Sequence, residues 1–333
     1  MRAVVVDAFG PFENAAIREV PDPAPGPADL LVEVHATAAN YVDILLMGGR
    51  HQSKPDLPFI PGKGPAGTVR AVGPEAAGFA AGDRVVAMCE PGGGFAELIC
   101  VPAAQCHRIP PAMPFEDAAS MALVYDTAWF ALRERGRYAD GETVLVLGAT
   151  GGVGLAAVQL AKALGATVLA GVASASKAGM ARDAGADAIV DLARDDIHDS
   201  LREQVYDATG GRGADIVIDP LGDAIFDAAI RAVAWCGRLV VVGFAAGRIP
   251  TIRANYLLVR NIDVGGLQIG DYRKRRPDLT ARCFEEIYAL YEAGRIAALP
   301  TGTLPIEKFA DALAGIRDRS ARGRIVLKQD RAG

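Results

Sequence analysis

The chain has 333 residues, 51% of them hydrophobic and 23% charged, with a net charge of −5. That length suits two ordinary domains with a large core, the composition excludes intrinsic disorder, and the acidic balance gives no electrostatic reason to expect nucleic acid. The five cysteines, Cys89, Cys100, Cys106, Cys236 and Cys283, are odd in number and lack C-x-x-C spacing, which argues against a disulfide framework or a zinc knuckle. No apolar stretch approaches the roughly 20 residues of a membrane helix, and residues 1–7 enter a strand-like run without a signal-peptide layout. A soluble, cytoplasmic protein with no membrane partner is expected.

Pro and Gly break the first part of the chain into short apolar runs at 30–36, 67–72, 84–88 and 95–101, which predict strands of a mostly antiparallel β domain. Pro114, Phe115, Glu116 and Asp117 then open a helix running to about 135, with the proline and the acids in its first turn. Beyond it strands and helices alternate. Strands are predicted at 142–147, 167–172, 188–192, 214–219, 238–244 and 262–267, and helices at 155–164, 177–183, 197–206 and 224–234. Such alternation argues for a parallel sheet covered on both faces. Helices at 279–293 and 306–316 and a strand at 324–328 complete the pattern.

The first strand–helix junction of that alternating region reads Gly148-Ala149-Thr150-Gly151-Gly152-Val153-Gly154. The dinucleotide spacing G-x-G-x-x-G falls on Ala149, Gly151 and Gly154, so alanine replaces the first glycine. Such a turn brings backbone N–H groups and a helix N-terminus against a pyrophosphate. An ordinary buried turn without a ligand is the alternative, and the order strand, turn, helix, strand favours the nucleotide. The second strand ends in Ala173-Ser174-Ala175-Ser176-Lys177, where a carboxylate would select NAD. A hydroxyl and an ammonium suit a 2′-phosphate instead, so NADPH is expected over NADH. Ser174 equally suits a helix N-cap and Lys177 a solvated first turn.

Several further blocks occur in order: Ala39-Asn40-Tyr41-Val42-Asp43, Pro58-Phe59-Ile60-Pro61-Gly62, Ala81-Gly82-Asp83-Arg84-Val85, Gly93-Gly94-Phe95-Ala96-Glu97, Gly141-Glu142-Thr143-Val144-Leu145-Val146 and Arg322-Gly323-Arg324-Ile325-Val326-Leu327. With the glycine turn they make the chain similar, over essentially its whole length, to the zinc-free quinone oxidoreductase branch of the medium-chain dehydrogenases/reductases, which includes zeta-crystallin. The resemblance implies an α/β protein: a GroES-like β-rich catalytic domain plus a doubly wound parallel-sheet Rossmann domain, with a substrate cleft between them. The segments expected are 1–120 for the catalytic domain, 121–262 for the NADPH-binding domain, and 263–333 returning to the first. A homodimer through strand edges beyond Ile262 is expected on the same ground.

Zinc members of the superfamily carry a cysteine where Asn40 stands, a His-Glu pair where Lys63-Gly64 stands, and a cysteine or an acid near Leu123. The residues here supply no thiolate, imidazole or carboxylate, so no metal is expected. Without that Lewis acid, hydride transfer needs an acceptor that is already electrophilic, such as a quinone or a conjugated enone. The resemblance places Asn40 beside the nicotinamide, Thr127 near the cofactor, and Ala149, Thr150, Gly151, Gly152 and Val153 at the pyrophosphate. It places Ser174 and Lys177 at the 2′-phosphate, Gly243, Phe244, Leu267 and Gln268 along the nicotinamide half, and Arg319 on the adenosine side. Asn40 is a donor to a developing oxyanion or a helix cap, and Tyr41 a proton donor or a core residue. The family's tyrosine is replaced by His51 in the substrate loop and by Leu192 near the adenosine phosphate, and its glutamate by Gly64.

The leading expectation is an NADPH-dependent quinone oxidoreductase. An alternative is an NADPH-dependent reductase of activated C=C bonds, in enones or acyl-CoA thioesters. It draws on the basic run Arg273, Lys274, Arg275, Arg276, which by default is solvated surface. A third reading is an NADPH-binding protein whose chemistry is incidental.

Overall fold

The structure, a computed structural model, describes residues 1–329 except Pro91, Pro300, Arg319 and Arg322. In chain order the elements begin with β1 (Arg2–Val5), β2 (Ala16–Glu19), β3 (Asp29–Ala38), α1 (Tyr41–Met47), β4 (Ala66–Val72), β5 (Arg84–Ala87), β6 (Leu98–Pro102), β7 (Cys106–Arg108) and α2 (Phe115–Phe130). There follow β8 (Thr143–Val146), α3 (Gly152–Ala163), β9 (Thr167–Val172), α4 (Ala178–Asp183), β10 (Ala188–Asp191), α5 (Ile197–Thr209), β11 (Ala214–Asp219), α6 (Asp223–Ala229), β12 (Val233–Val241), α7 (Ala254–Arg260) and β13 (Asp263–Gly266). The last are α8 (Ile269–Arg275), α9 (Pro277–Glu292), β14 (Thr301–Pro305), α10 (Phe309–Arg317) and β15 (Arg324–Lys328). None of the described helices is long and apolar enough to cross a membrane.

Two compact units divide the chain. One comprises Met1–Leu123, Gly270–Glu292 and Ala297–Gly333, the other Val124–Ile269 and Ala293–Ile296. The first is built on a sheet ordered β14-β15-β3-β4-β5-β7, with β6 also paired to β3. Its ladders are antiparallel except β14 with β15. Alternating burial along β3 turns Leu30, Val32 and Val34 into one core with Val69, Val85 and Ile99. A second core gathers Val4, Phe12, Ile44, Phe59, Phe309 and Leu313.

The second unit holds a parallel sheet ordered β10-β9-β8-β11-β12-β13. In sequence terms this is third, second, first, fourth, fifth, sixth, the order of a doubly wound dinucleotide fold. All four residues of β8 are buried, as expected of a strand covered on both faces. The expected helix at 224–234 is shorter: α6 ends at Ala229, a 3-10 turn carries the chain to Ala232, and β12 begins at Val233. An apolar Ala/Val run does not distinguish a buried helix from a buried strand, and here pairing of Val233 with Ala214 decides. The expected strand at 238–244 therefore starts five residues earlier, with Cys236 at φ 60 marking the irregularity inside it.

Candidate cofactor and active site

In the second unit the glycine turn divides its work among residues that sequence spacing alone misassigns. The left-handed residue is Gly148, at φ 60, one place before the fingerprint's first position. Ala149 needs no such freedom, because it is fully buried with its N–H donated to the Gly171 carbonyl at 3.0 Å. Gly151 donates to Gly148 O at 3.0 Å and occupies the N-cap of α3. A Cβ at Gly154 would lie 2.2 Å from Gly148 O, so only glycine permits this approach of the helix to the turn. Leu155 N–H is the first to find the N-cap carbonyl, at 2.8 Å, leaving Gly152, Val153 and Gly154 as the first-turn N–H groups without an intrahelical acceptor.

The other expected cofactor residues in this unit follow strand ends on the same edge, since all six strands run parallel. After β9, Ser174 accepts the Lys177 N–H on its carbonyl at 2.9 Å, and its hydroxyl meets the Ser176 hydroxyl at 2.9 Å without capping the short helix. No carboxylate stands in that segment, and Leu192 is buried against the space beside Gly171. After β12, Gly243 donates to Asp219 O at 3.4 Å and Phe244 packs where a Cβ at Gly222 would come within 3.0 Å of it. After β13, Leu267 is buried with its N–H on Val241 O at 2.9 Å, while Gln268 is exposed. Thr127 is buried in α2, with its hydroxyl 3.4 Å from Asp126. Thr150 is half-buried at the turn. Arg319 lies outside the described residues.

Sequence reasoning missed Asp219, at the end of the central strand β11. Its Oδ1 accepts the N–H groups of Leu221 and Gly222 at 2.8 and 3.0 Å, shaping the loop that Gly243 and Phe244 meet. Its Oδ2 is buried without a partner among the described residues, and burial raises the carboxyl's pKa.

In the first unit the expected catalytic residues separate. Asn40, 3% exposed, sits at the N-cap of α1 with its amide held on both sides. Its Nδ2 donates to Ala38 O at 2.8 Å, and its Oδ1 accepts from Arg324 Nη2 at 2.7 Å. Tyr41 is 42% exposed, which overturns the core-packing reading: as the first residue of α1 it faces outward while Ile44, Leu46 and Met47 supply the helix's apolar side.

Around Asn40 lies a set of buried charges. Asp43, fully buried, accepts the Asn40 N–H at 2.9 Å and the Gly62 N–H at 3.2 Å. Burial pushes its pKa up to about 6, against the pull of those bonds and of Lys63. Lys63 is ion-paired to Glu90, whose second oxygen binds Arg273 at 2.7 Å. Burial works against the charge on Glu90, but Lys63 and Arg273 together hold its carboxyl below the usual range. Burial takes the neighbouring Cys89 thiol up to about 11 and His107, with help from Arg273, down to about 3. Arg273 thereby leaves the solvated basic run: it is 2% exposed, whereas Lys274 and Arg275 are exposed and Arg276 pairs with Asp278.

The alcohol dehydrogenase GroES-like domain matches residues 26–111, and the zinc-binding dehydrogenase family matches residues 152–285. The chain is 33% identical over 303 residues to quinone oxidoreductase-like protein 2 homolog of Nematostella vectensis, covering 91% of this chain and 82% of that one. It belongs to the medium-chain dehydrogenase/reductase superfamily. Within the superfamily, the structure of Escherichia coli quinone oxidoreductase complexed with NADPH superposes with a TM-score of 0.90 at 26% identity, over 98% of this chain and all of that one (100%). Acryloyl-coenzyme A reductase of Sulfurisphaera tokodaii is 27% identical over 355 residues, 98% of this chain and 100% of that protein.

Superfamily membership brings a nicotinamide dinucleotide and, in some members, zinc, and the two fare differently here. The open first turn of α3 and the steric demand at Gly154 fit a pyrophosphate. The positions at which the resemblance puts zinc ligands do not fit the metal. Asn40 is engaged by Ala38 and Arg324, Lys63 by Glu90, and a Cβ at Gly64 would meet Ala122 at 2.8 Å. Among the described residues no three His, Cys, Asp or Glu side chains gather where they would hold a metal ion.

Proposed function

We propose that the protein is an NADPH-dependent quinone oxidoreductase that works without a metal. The observation that carries this reading is the ion-paired Lys63–Glu90–Arg273 group, which holds a fixed cation, Lys63, at a position where zinc members have a ligand. Bound NADPH supplies the hydride. The acceptor gains that hydride and a solvent proton, and its oxygen bears negative charge on the way. Asn40 is our candidate donor to that charge, since one Nδ2 hydrogen is used by Ala38 and the other has no acceptor among the described residues. Ser174 and Lys177, in a segment 173–177 that contains no acidic residue, support NADPH over NADH. The reading includes a homodimer, supported by the free edge of β13 and the exposed Leu258 and Val259, and read out by sedimentation.

A second reading, reduction of an activated C=C bond, is favoured by the likeness to an acryloyl-coenzyme A reductase. The test is NADPH oxidation by chelator-treated protein with a simple quinone and a matched enone, with NADH in parallel. Quinone turnover that survives chelation is expected. Turnover of the enone alone would shift the reading to alkene reduction, and loss of activity on chelation would refute the metal-free assignment. In the same assay Lys177→Ala should weaken NADPH about ten- to a hundredfold and leave NADH unchanged. An unaltered cofactor ratio would remove Lys177 from the 2′-phosphate.

A further inference from the structure

Arg324 opens β15, and its guanidinium is buried. The antiparallel ladder of β15 with β3 pairs Val326 with Ala38, and the Ala39 N–H donates to Ile325 O at 2.9 Å. Those backbone bonds fix the segment 38–40 against 324–326. From there Arg324 reaches two acceptors: Nε donates to Ser120 O at 3.2 Å and Nη2 to Asn40 Oδ1 at 2.7 Å. Burial brings its pKa down to about 10 while Asp43 pulls the other way, so it remains a cation at neutral pH.

An asparagine amide has two orientations that differ only in which end is oxygen. Here its surroundings allow one. Arg324 only donates and the Ala38 carbonyl only accepts, so Oδ1 must face the guanidinium and Nδ2 the carbonyl. Flipping the amide would set a donor against a buried cation and an acceptor against a carbonyl. The contact also polarises the amide: a positive charge on Oδ1 draws density from nitrogen, and the remaining Nδ2 hydrogen becomes a stronger donor. Asp43 completes the arrangement from the other side by holding the Asn40 backbone N–H at 2.9 Å.

We propose that Arg324 is a positioning residue for the reaction, fixing and polarising the Asn40 amide so that its second Nδ2 hydrogen meets the oxygen on which charge develops. This rests on Asn40 being that donor, and the test separates the two ideas. Asn40→Ala should lower kcat for quinone reduction about a hundredfold. Arg324→Lys keeps the charge but not the fork to both acceptors, and should lower kcat roughly ten- to a hundredfold while the KM values for NADPH and quinone change little. In the Asn40→Ala background Arg324→Lys should then cost almost nothing more, which a merely structural role would not produce.

Full kcat in Asn40→Ala would remove the donor and the inference together. A crippled Asn40→Ala beside a fully active Arg324→Lys, or strictly additive losses, would overturn the inference alone. If Arg324→Lys fails to fold, the wild-type protein decides by nitrogen-labelled NMR. Slowly exchanging Arg324 Nη resonances that vanish in Asn40→Ala are expected, and fast exchange in the wild type would refute the contact.

Discussion

The glycine turn of the second unit and the charged group of the first solve their problems with different materials. The turn uses consecutive residues and backbone atoms, and what it requires is empty space: the Gly154 position tolerates no Cβ because Gly148 O would lie 2.2 Å away. The charged group uses side chains from remote positions. Arg273 meets Glu90 across 183 residues, and Arg324 meets Asn40 across 284. A site of the first kind is sensitive to volume and needs no charged side chain of its own. One of the second kind depends on every charge keeping its partner, because a buried ion left alone costs far more than the pair contributes.

The sharpest way to break that contrast is Glu90→Gln. It removes the one negative charge that both the Lys63 and Arg273 side chains pair with, and these are 6% and 1% exposed. A loss of about 3–5 kcal/mol in urea unfolding at neutral pH is expected. Pairing it with Arg273→Met should recover a large part, since the second change removes one of the two buried cations. A loss no larger than that of a surface pair would mean water reaches the group and the contrast is false.

Next in size is Gly154→Ala, which adds one methyl and no charge. Helix α3 must move away from the turn at Gly148 and Ala149, and a cost of about 1–3 kcal/mol is expected in the same assay. The displaced first-turn N–H groups should weaken NADPH binding more than the stability change alone would suggest, as read by cofactor fluorescence titration. Unchanged NADPH affinity would separate the turn from the pyrophosphate.

The same difference explains what could be read in the chain beforehand. The parallel sheet was visible because each of its strands is a continuous apolar run next to a helix of different period, and the turn because its glycines are neighbours. Short elements such as α1, α7 and β14 lack the length for a periodic signal. In the first unit Asn40 and Lys63 could be singled out by resemblance, yet nothing in the sequence joins Lys63 to Glu90 or Asn40 to Arg324. Those contacts exist only once β15 pairs with β3 and α8 brings Arg273 to Glu90. The basic run misled for the same reason: four adjacent cations read as one solvated patch, although folding buries the first of them.

The smallest effect concerns protons, and two buried groups in the first unit pull in opposite directions. Asp43 has a folded pKa of about 6 against an ordinary 3.8, so between those values the folded chain binds the proton more tightly than the unfolded one. By linkage its contribution to stability rises as pH falls through 6 and is fully gained below 3.8. His107 goes the other way. Its folded pKa of about 3 against an ordinary 6.5 means that the unfolded chain takes the proton first, so stability is lost as pH falls through 6.5. Lys63 draws the Asp43 pKa down against burial, and Arg273 draws that of His107 further down. Between about pH 7 and pH 5 the Asp43 term amounts to about +1 kcal/mol and the His107 term to about −2 kcal/mol, so the two oppose each other. Each substitution should uncover the other term. Asp43→Asn should lose stability toward acid more steeply than the wild type, and His107→Phe, which keeps a ring against Phe284, should gain it. Unfolding curves at the two pH values measure both slopes, and parallel slopes for all three proteins would show that neither group titrates in the buried state described here.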